Sequence, residues 1–256
     1  MPRSFLAALA ALTVVVALTG CRLDTSVRVE MNTDGTGTVT VTAVADAELM
    51  ERIPNPDEQL RFGDAQAAGW TVDGPTESDD GGATIVLSHT FSGADDATAL
   101  LNSLGGPFGD VSITRVVEGE DADAAATNTL AGTAVLANGF RGFADQALVD
   151  TVGGTPFADD LEGRTPADTM TIELELLLPG DVDDTNGERD GRAATWQLPL
   201  DGTDQALELT TRQEPDAVGG WAGPVATAAL LALLAWLAVC VGFIVYFVTT
   251  RSRRSV

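Results

Sequence analysis

One residue in this chain has its chemistry specified by its neighbours. Leu18-Thr19-Gly20-Cys21 places an aliphatic residue and two small residues directly before a thiol. At this arrangement a bacterial signal peptide is cut and the sulfur takes a diacylglyceryl group. Cys21 is therefore expected to be the lipidation site, to carry acyl chains of the palmitate type, and to become the mature N-terminus. The other cysteine, Cys240, lies in an apolar run. No disulfide is then open to the region between them, which must be stabilised by core packing.

Other reactive residues are scarce or uninformative. The single histidine, His89, shares the strand parity of Ile85, Leu87 and Phe91. That places it on the inward face, as a core or rim residue rather than a base or ligand. With no second His and no Lys, zinc or haem sites of the usual kinds and lysine chemistry are not expected, nor is any cofactor. No Gly-x-Ser-x-Gly elbow accompanies His89, and no Walker or dinucleotide fingerprint is present. Carboxylates are too abundant for any pair to stand out. Glu173 and Glu175 share the solvated outer face of a strand, and residues 181–188 have the composition of a calcium loop without its register. The chain is expected not to be an enzyme.

Charge narrows the partners. All 38 acids lie between residues 22 and 221, with ten arginines; ten less 38 leaves −28. Such a surface repels nucleic acid, and chiefly keeps the domain soluble.

The elements around these residues follow from periodicity. Residues 25–32 alternate, with Val27, Val29 and Met31 on one face; Asp34-Gly35 supplies a tight turn; and residues 38–44 return with Val39 and Val41 inward. This predicts an N-terminal β-hairpin. Asp46 is expected to cap a helical turn carrying Leu49, Met50 and Ile53, and Pro56 to open a second helix that Gly69 closes. A short strand at 70–72, a loop at 75–82 and a strand at 84–91 come next. A helix over 92–106 is expected with Ser92 as a cap-like residue, and strands at 111–117 and 127–136 form a second hairpin. Residues 138–168 are Gly-broken but apolar, with Phe140, Phe143, Leu148, Val152 and Phe157. They pack as a lid or line a ligand cavity. Strands at 170–178, 193–200 and 206–212 complete an α+β domain with a mostly antiparallel sheet of about eight strands and three or four packed helices.

Residues 222–248 run without a charge, about 40 Å as a helix against a hydrocarbon core of about 30 Å. One C-terminal transmembrane helix is expected there. Arg251, Arg253 and Arg254 follow it, which puts the C-terminus in the cytoplasm. Small residues four apart, such as Ala222 and Ala226, leave span dimerisation open. The organisation expected is a signal peptide at 1–20, an extracytoplasmic domain at 21–212, a tether at 213–221, the span at 222–248 and a basic tail at 249–256. The protein is thus placed at the cell membrane, held by a diacylglyceryl anchor and a single span.

The lipobox cysteine, the 25–31 strand, the Asp34-Gly35 turn and the later blocks Leu178-Pro179-Gly180, Asn186-Gly187 and Ala194-Thr195-Trp196-Gln197-Leu198 together resemble the LppM-type actinobacterial membrane lipoproteins. The resemblance implies a mixed α/β envelope domain likened to lipid-binding folds, and no catalytic residues. The function expected is binding of a lipid, glycolipid or other amphipathic envelope molecule in a cavity between sheet and helices. The alternative is an assembly module for a membrane-protein partner, and a carboxylate-based enzyme is the third reading.

Overall fold

A computed structural model describes residues 22–53, 62–119, 125–137, 139–143, 165–214, 227–233 and 236. The chain divides into two units, Met1–Glu214 and Pro215–Val256. The first holds the strands.

Alternation at the N-terminus yields β1 (Leu23–Met31) and β2 (Gly37–Ala45), paired antiparallel so that Val27 faces Val41 and Val29 faces Val39. The turn between them is pinned by Asp34, whose carboxylate accepts from the Thr36 amide and hydroxyl. Helix α1 (Ala47–Arg52) starts where expected: Asp46 Oδ1 accepts from the Leu49 amide, satisfying one of the orphan donors of the first turn. Of the second predicted helix, α2 (Gly63–Ala67) is described and Gly69 follows it at φ +95°; residues 54–61 lie outside the described residues. Neither helix buries a residue.

Strand β3 (Thr71–Glu77) is longer than its sequence suggests, running into the stretch read as a loop. The pairing with β4 (Ala83–Phe91) is irregular between Asp73 and Thr76, around Pro75. A sheet edge tolerates this, because proline's missing N–H there faces no partner strand. Helix α3 (Ala94–Ser103) begins after Gly93, and Ser92 does not cap it: the Ser92 amide and hydroxyl both donate to the Asp96 carboxylate. A 3-10 turn (Gly106–Phe108) leads to β5 (Asp110–Glu118), which pairs antiparallel with β6 (Ala125–Ala134) as the second predicted hairpin.

Beyond a 3-10 turn at Gly139–Phe143, the rest of the apolar stretch to Phe157 lies outside the described residues. Helix α4 (Pro166–Thr169) then opens β7 (Met170–Leu177), followed by β8 (Asp181–Thr185), β9 (Glu188–Asp190), β10 (Ala193–Gln197) and β11 (Gln205–Gln213).

The expectation of an α+β domain with mostly antiparallel pairing stands, but the strands form two sheets. One has the order β3-β4-β2-β1-β7-β10-β9 and the other β5-β6-β11-β8. Every pairing is antiparallel except β1 with β7. Inward residues line up across the larger sheet as Val72, Leu87, Val41, Val27, Leu174 and Trp196, and across the smaller as Ile113, Leu130 and Leu209. These faces meet in one buried cluster, to which α3 adds Ala97 and Leu101. Period-two alternation places side chains on a face but says nothing about which strands share a sheet, and so the second sheet is not legible in the pattern.

The expected span falls mostly outside the described residues. Within it, residues 227–233 and 236 are helical, and among the described residues no helix is long and apolar enough to cross a membrane.

Candidate functional site

Chemistry nominated from sequence does not converge in the fold. His89 lies on the inward face opposite Val39, packs edge-on to Trp70 at 5.4 Å and 65°, and places Nδ1 2.6 Å from the Thr90 carbonyl oxygen. It is a rim residue holding the β3 edge. Glu175 pairs with Arg28 across the parallel strands at 2.8 Å, while Glu173 is exposed. The calcium-like stretch is strand β8, a turn and strand β9. Its alternation spreads the carboxylates to different sides, and Asp183 pairs with Arg212 at 3.1 Å. Among the described residues no group of three or more His, Cys, Asp or Glu is placed to hold a metal ion. Cys21 and Cys240 lie outside the described residues.

What the fold does build is a cleft of about 550 Å³ at one end of the two sheets, lined by α4, the start of β7, the segment after β10 and the start of β11. Its apolar wall is Met170, Leu198, Pro199 and Leu200, and its polar side includes Asp201, Asp204 and Gln205. It is an open groove on the surface rather than an enclosed pocket. Leu198 is fixed by its amide, which donates to the Ile172 carbonyl at 2.8 Å. Pro199 then ends the ladder, because it has no N–H to donate. The buried Leu198 and Leu200 thus belong to the core and to the cleft wall at once.

Electrostatically the cleft rim is anionic. The Thr203 amide and hydroxyl hold the Asp201 carboxyl below its usual range, so it stays ionised. A general acid needs the opposite shift. Inside, Gln205 Oε1 is buried and has no hydrogen-bond partner. An orphaned acceptor of this kind costs about 1–3 kcal/mol.

The opposite end of the sheets is closed by polar groups. Asn128 and Thr211 are fully buried, and both donate to the Pro179 carbonyl, at 2.9 and 2.8 Å. Arg115 donates to Asn128 Oδ1, Gln213 Oε1 and the Thr33 carbonyl. Burial lowers the Arg115 pKa, and the nearby Asp34 charge works against that. The closed end therefore carries a satisfied network, and the orphaned oxygen is at the open one.

Sequence reading missed the cleft. It ran a strand from 193 to 200 and began the next at 206, leaving Gln205 outside. The available signal was Pro199 between two leucines, followed by Asp201-Gly202, which ends a strand while keeping its apolar residues. The cavity expected over 140–157 is testable only at Gly139–Phe143, where Gly139 lies against Pro166 of α4.

Residues 22–213 match the family model described as LppM domain. Among solved structures, the folded domain of the Mycobacterium tuberculosis LppM protein, determined by NMR, is similar with 15% identity and a TM-score of 0.42, covering 76% of this chain and 91% of that one. No curated protein matches.

Proposed function

The chain belongs to the LppM family, a family of lipoproteins, and from that premise we propose that it is a doubly anchored envelope lipoprotein whose domain binds an amphipathic molecule without catalysis. Cys21 carries the diacylglyceryl anchor, and residues 222–248 form the span, with the tail in the cytoplasm. The ligand occupies the cleft. Its apolar part lies on Met170, Leu198 and Leu200, and its polar part lies on the side of Asp201, Asp204 and Gln205. The observation that carries this reading is the open groove walled by Met170, Leu198, Pro199 and Leu200 with Asp201, Asp204 and Gln205 on its other side. The anionic rim favours a neutral or cationic headgroup over an anionic one.

The test is lipid extraction and mass spectrometry of the purified protein, expressed in an actinobacterial host. A stoichiometric amphiphile whose amount falls in Gln205→Leu supports the reading, and a folded protein that carries none sinks it.

A second reading, docking of a membrane-protein partner, is favoured by one feature. Helix α3 brackets the free edge of β5: Thr98 Oγ1 bonds the Ile113 amide and carbonyl, and the Asn102 side chain bonds those of Val111. Past this bracket Val116 and Val117 are 64% and 42% exposed, which leaves a short apolar edge for an added strand. Cross-linking from this edge that captures only lipid, with no membrane protein, would dispose of it.

A further inference from the structure

Sheet edges expose backbone N–H and C=O groups with which another chain can pair, and proteins blunt them with proline, charge, bulges or short strands. Among the described residues the two sheets end in β3, β9, β8 and β5. The first three are blunted. Strand β3 carries Pro75 and an irregular register between Asp73 and Thr76. Strand β9 is three charged, exposed residues, and β8 is short, rich in aspartate and shifted in register against β11. Strand β5 is covered over only part of its length. The α3 side chains Thr98 and Asn102 take the N–H and C=O of Ile113 and Val111, so the odd-numbered residues of β5 point these groups away from β6. The β5–β6 register is unbroken from Asp110 to Glu118. Antiparallel alternation therefore carries the same orientation on to Arg115 and Val117, whose backbone groups meet no strand among the described residues. Beside them Val116 and Val117 are 64% and 42% exposed. The open stretch, Thr114 to Glu118, is about 17 Å long.

We propose that this stretch takes, by antiparallel strand addition, an extended basic segment of a partner protein, with apolar residues at its centre and Lys or Arg at its N-terminal end. The proposal deepens the partner-docking reading above and rests on it. Geometry sets the register: the added strand exchanges N–H and C=O bonds with Arg115 and Val117 and lays its side chains over Val116 and Val117. The α3 bracket stops it at Ile113. Charge selects the occupant. Glu118 is exposed at the open end, and the chain continues as Gly119-Glu120-Asp121-Ala122-Asp123. The cation in the stretch, Arg115, is turned inward onto Asn128, Gln213 and Thr33 and does not offset these acids at the edge. The −28 carried by residues 22–221 works against an acidic partner, and equally against a second copy of this chain.

The experiment uses the full chain in dodecyl maltoside and an acetylated peptide, Lys-Arg-Val-Val-Thr-Thr, with a C-terminal fluorescein, at up to millimolar concentration. In the proposed register its arginine faces Glu118 and its valines face Val117 and Val116. Anisotropy reads binding, and residue-resolved amide exchange reads where it occurs. Saturable binding is expected, with exchange several-fold slower at the Arg115 and Val117 amides and unchanged at Thr114 and Val116, which already bond β6. Val117→Pro removes an N–H that an edge strand can spare; it should abolish binding and leave the melting curve in place. Glu118→Gln should weaken binding several-fold, as should a peptide with two glutamates in place of Lys-Arg. Equal binding and protection by the glutamate peptide overturns the basic partner and leaves strand docking standing. Binding that survives Val117→Pro places the peptide elsewhere and overturns the proposal. Protection of Arg115 and Val117 that grows with protein concentration, without peptide, gives the edge to a second copy and also overturns it. No protection from either peptide overturns the proposal together with the docking reading.

Discussion

The indole N–H of Trp196 donates to Asn186 Oδ1 at 2.8 Å, and this bond ties the two sheets together where the chain passes between them. Trp196 belongs to β10 of the seven-stranded sheet. Asn186 follows β8 of the four-stranded sheet and also accepts from the Glu208 amide at 3.0 Å and donates to the Ala206 carbonyl at 2.8 Å. Gly187 completes the joint: a β-carbon there would stand 2.6 Å from the indole, so only glycine lets the ring lie against the turn. The Leu178-Pro179-Gly180 block is another crossing, from β7 to β8. There Gly180, at φ +97°, lies against the Arg212 carbonyl. Two of the turn motifs that carry the family resemblance, Leu178-Pro179-Gly180 and Asn186-Gly187, are thus sheet-to-sheet crossings.

Asn186→Leu is expected to lower stability by about 2–4 kcal/mol, because it orphans a buried indole N–H and the backbone groups of β11 together. Trp196→Phe, which loses one bond and part of the indole packing, should cost less than the sum of the parts suggests when combined with it. Urea unfolding of residues 22–214 and the double-mutant cycle measure both. Additive costs would show that the two residues do not act as one joint.

Leu101→Ala should cost about 2–5 kcal/mol, since Leu101 is fully buried between α3 and the sheets. Leu104→Ala, at the partly buried end of the same helix, should cost clearly less. Comparable midpoint shifts in urea would contradict the placement of α3.

Removing the β5 bracket with Thr98→Val and Asn102→Leu is expected to cost about 1–2 kcal/mol for each pair of backbone groups left unpartnered. It should also raise self-association, because it frees a longer strand edge. Size-exclusion chromatography at increasing concentration reads the second effect, and a double variant that remains monomeric would refute it.

Gln205→Leu should make the ligand-free domain more stable by about 1 kcal/mol, because it removes an unsatisfied buried oxygen, while weakening retention of an amphiphile. Lost stability on this substitution would give Gln205 a structural role instead.

Acid should loosen the molecule. Asp34 and Asp80 are held below their usual range by local hydrogen bonds from Thr36 and from Ser78 and Gly82. For Asp24 burial acts upward, but the Thr171 and Arg22 contacts bring the net value down. A carboxyl whose folded pKa is depressed contributes stability that is present above its unfolded value, about 3.9, and is lost as pH falls through the lowered folded value. Melting temperature should therefore be flat from pH 7 to about 5 and fall below about 4. A rise on acidification in that window would reverse the assigned signs.

Much of the fold was legible along the chain. Alternation in β1, β2 and β7 placed Val27, Val39 and Leu174 inward, and the Asp34-Gly35 and Asp46 signals located a turn and a cap, because these features are set within a few residues. Three features depended on partners that periodicity does not specify. Thr71–Glu77 is one strand because β4 offers it an edge that tolerates Pro75. Ser92 loses its capping role because Asp96 competes for its hydroxyl. The acidic stretch 181–188, which has only the composition of a calcium loop, becomes strand because β11 and β10 pair with its two halves.

The sequence by itself determined which residues face inward, where the chain turns and where lipid chemistry is expected, since periodicity, turn residues and the Cys21 context are properties of neighbours in the chain. Only the tertiary structure decided that the strands divide into two sheets. It also decided that Met170, Leu200 and Gln205 share a cleft, and that this cleft lies beside the start of β1. Strand partners, unlike strand faces, are chosen by packing between residues more than a hundred positions apart, such as Leu23 and Met170, and no local pattern encodes that choice.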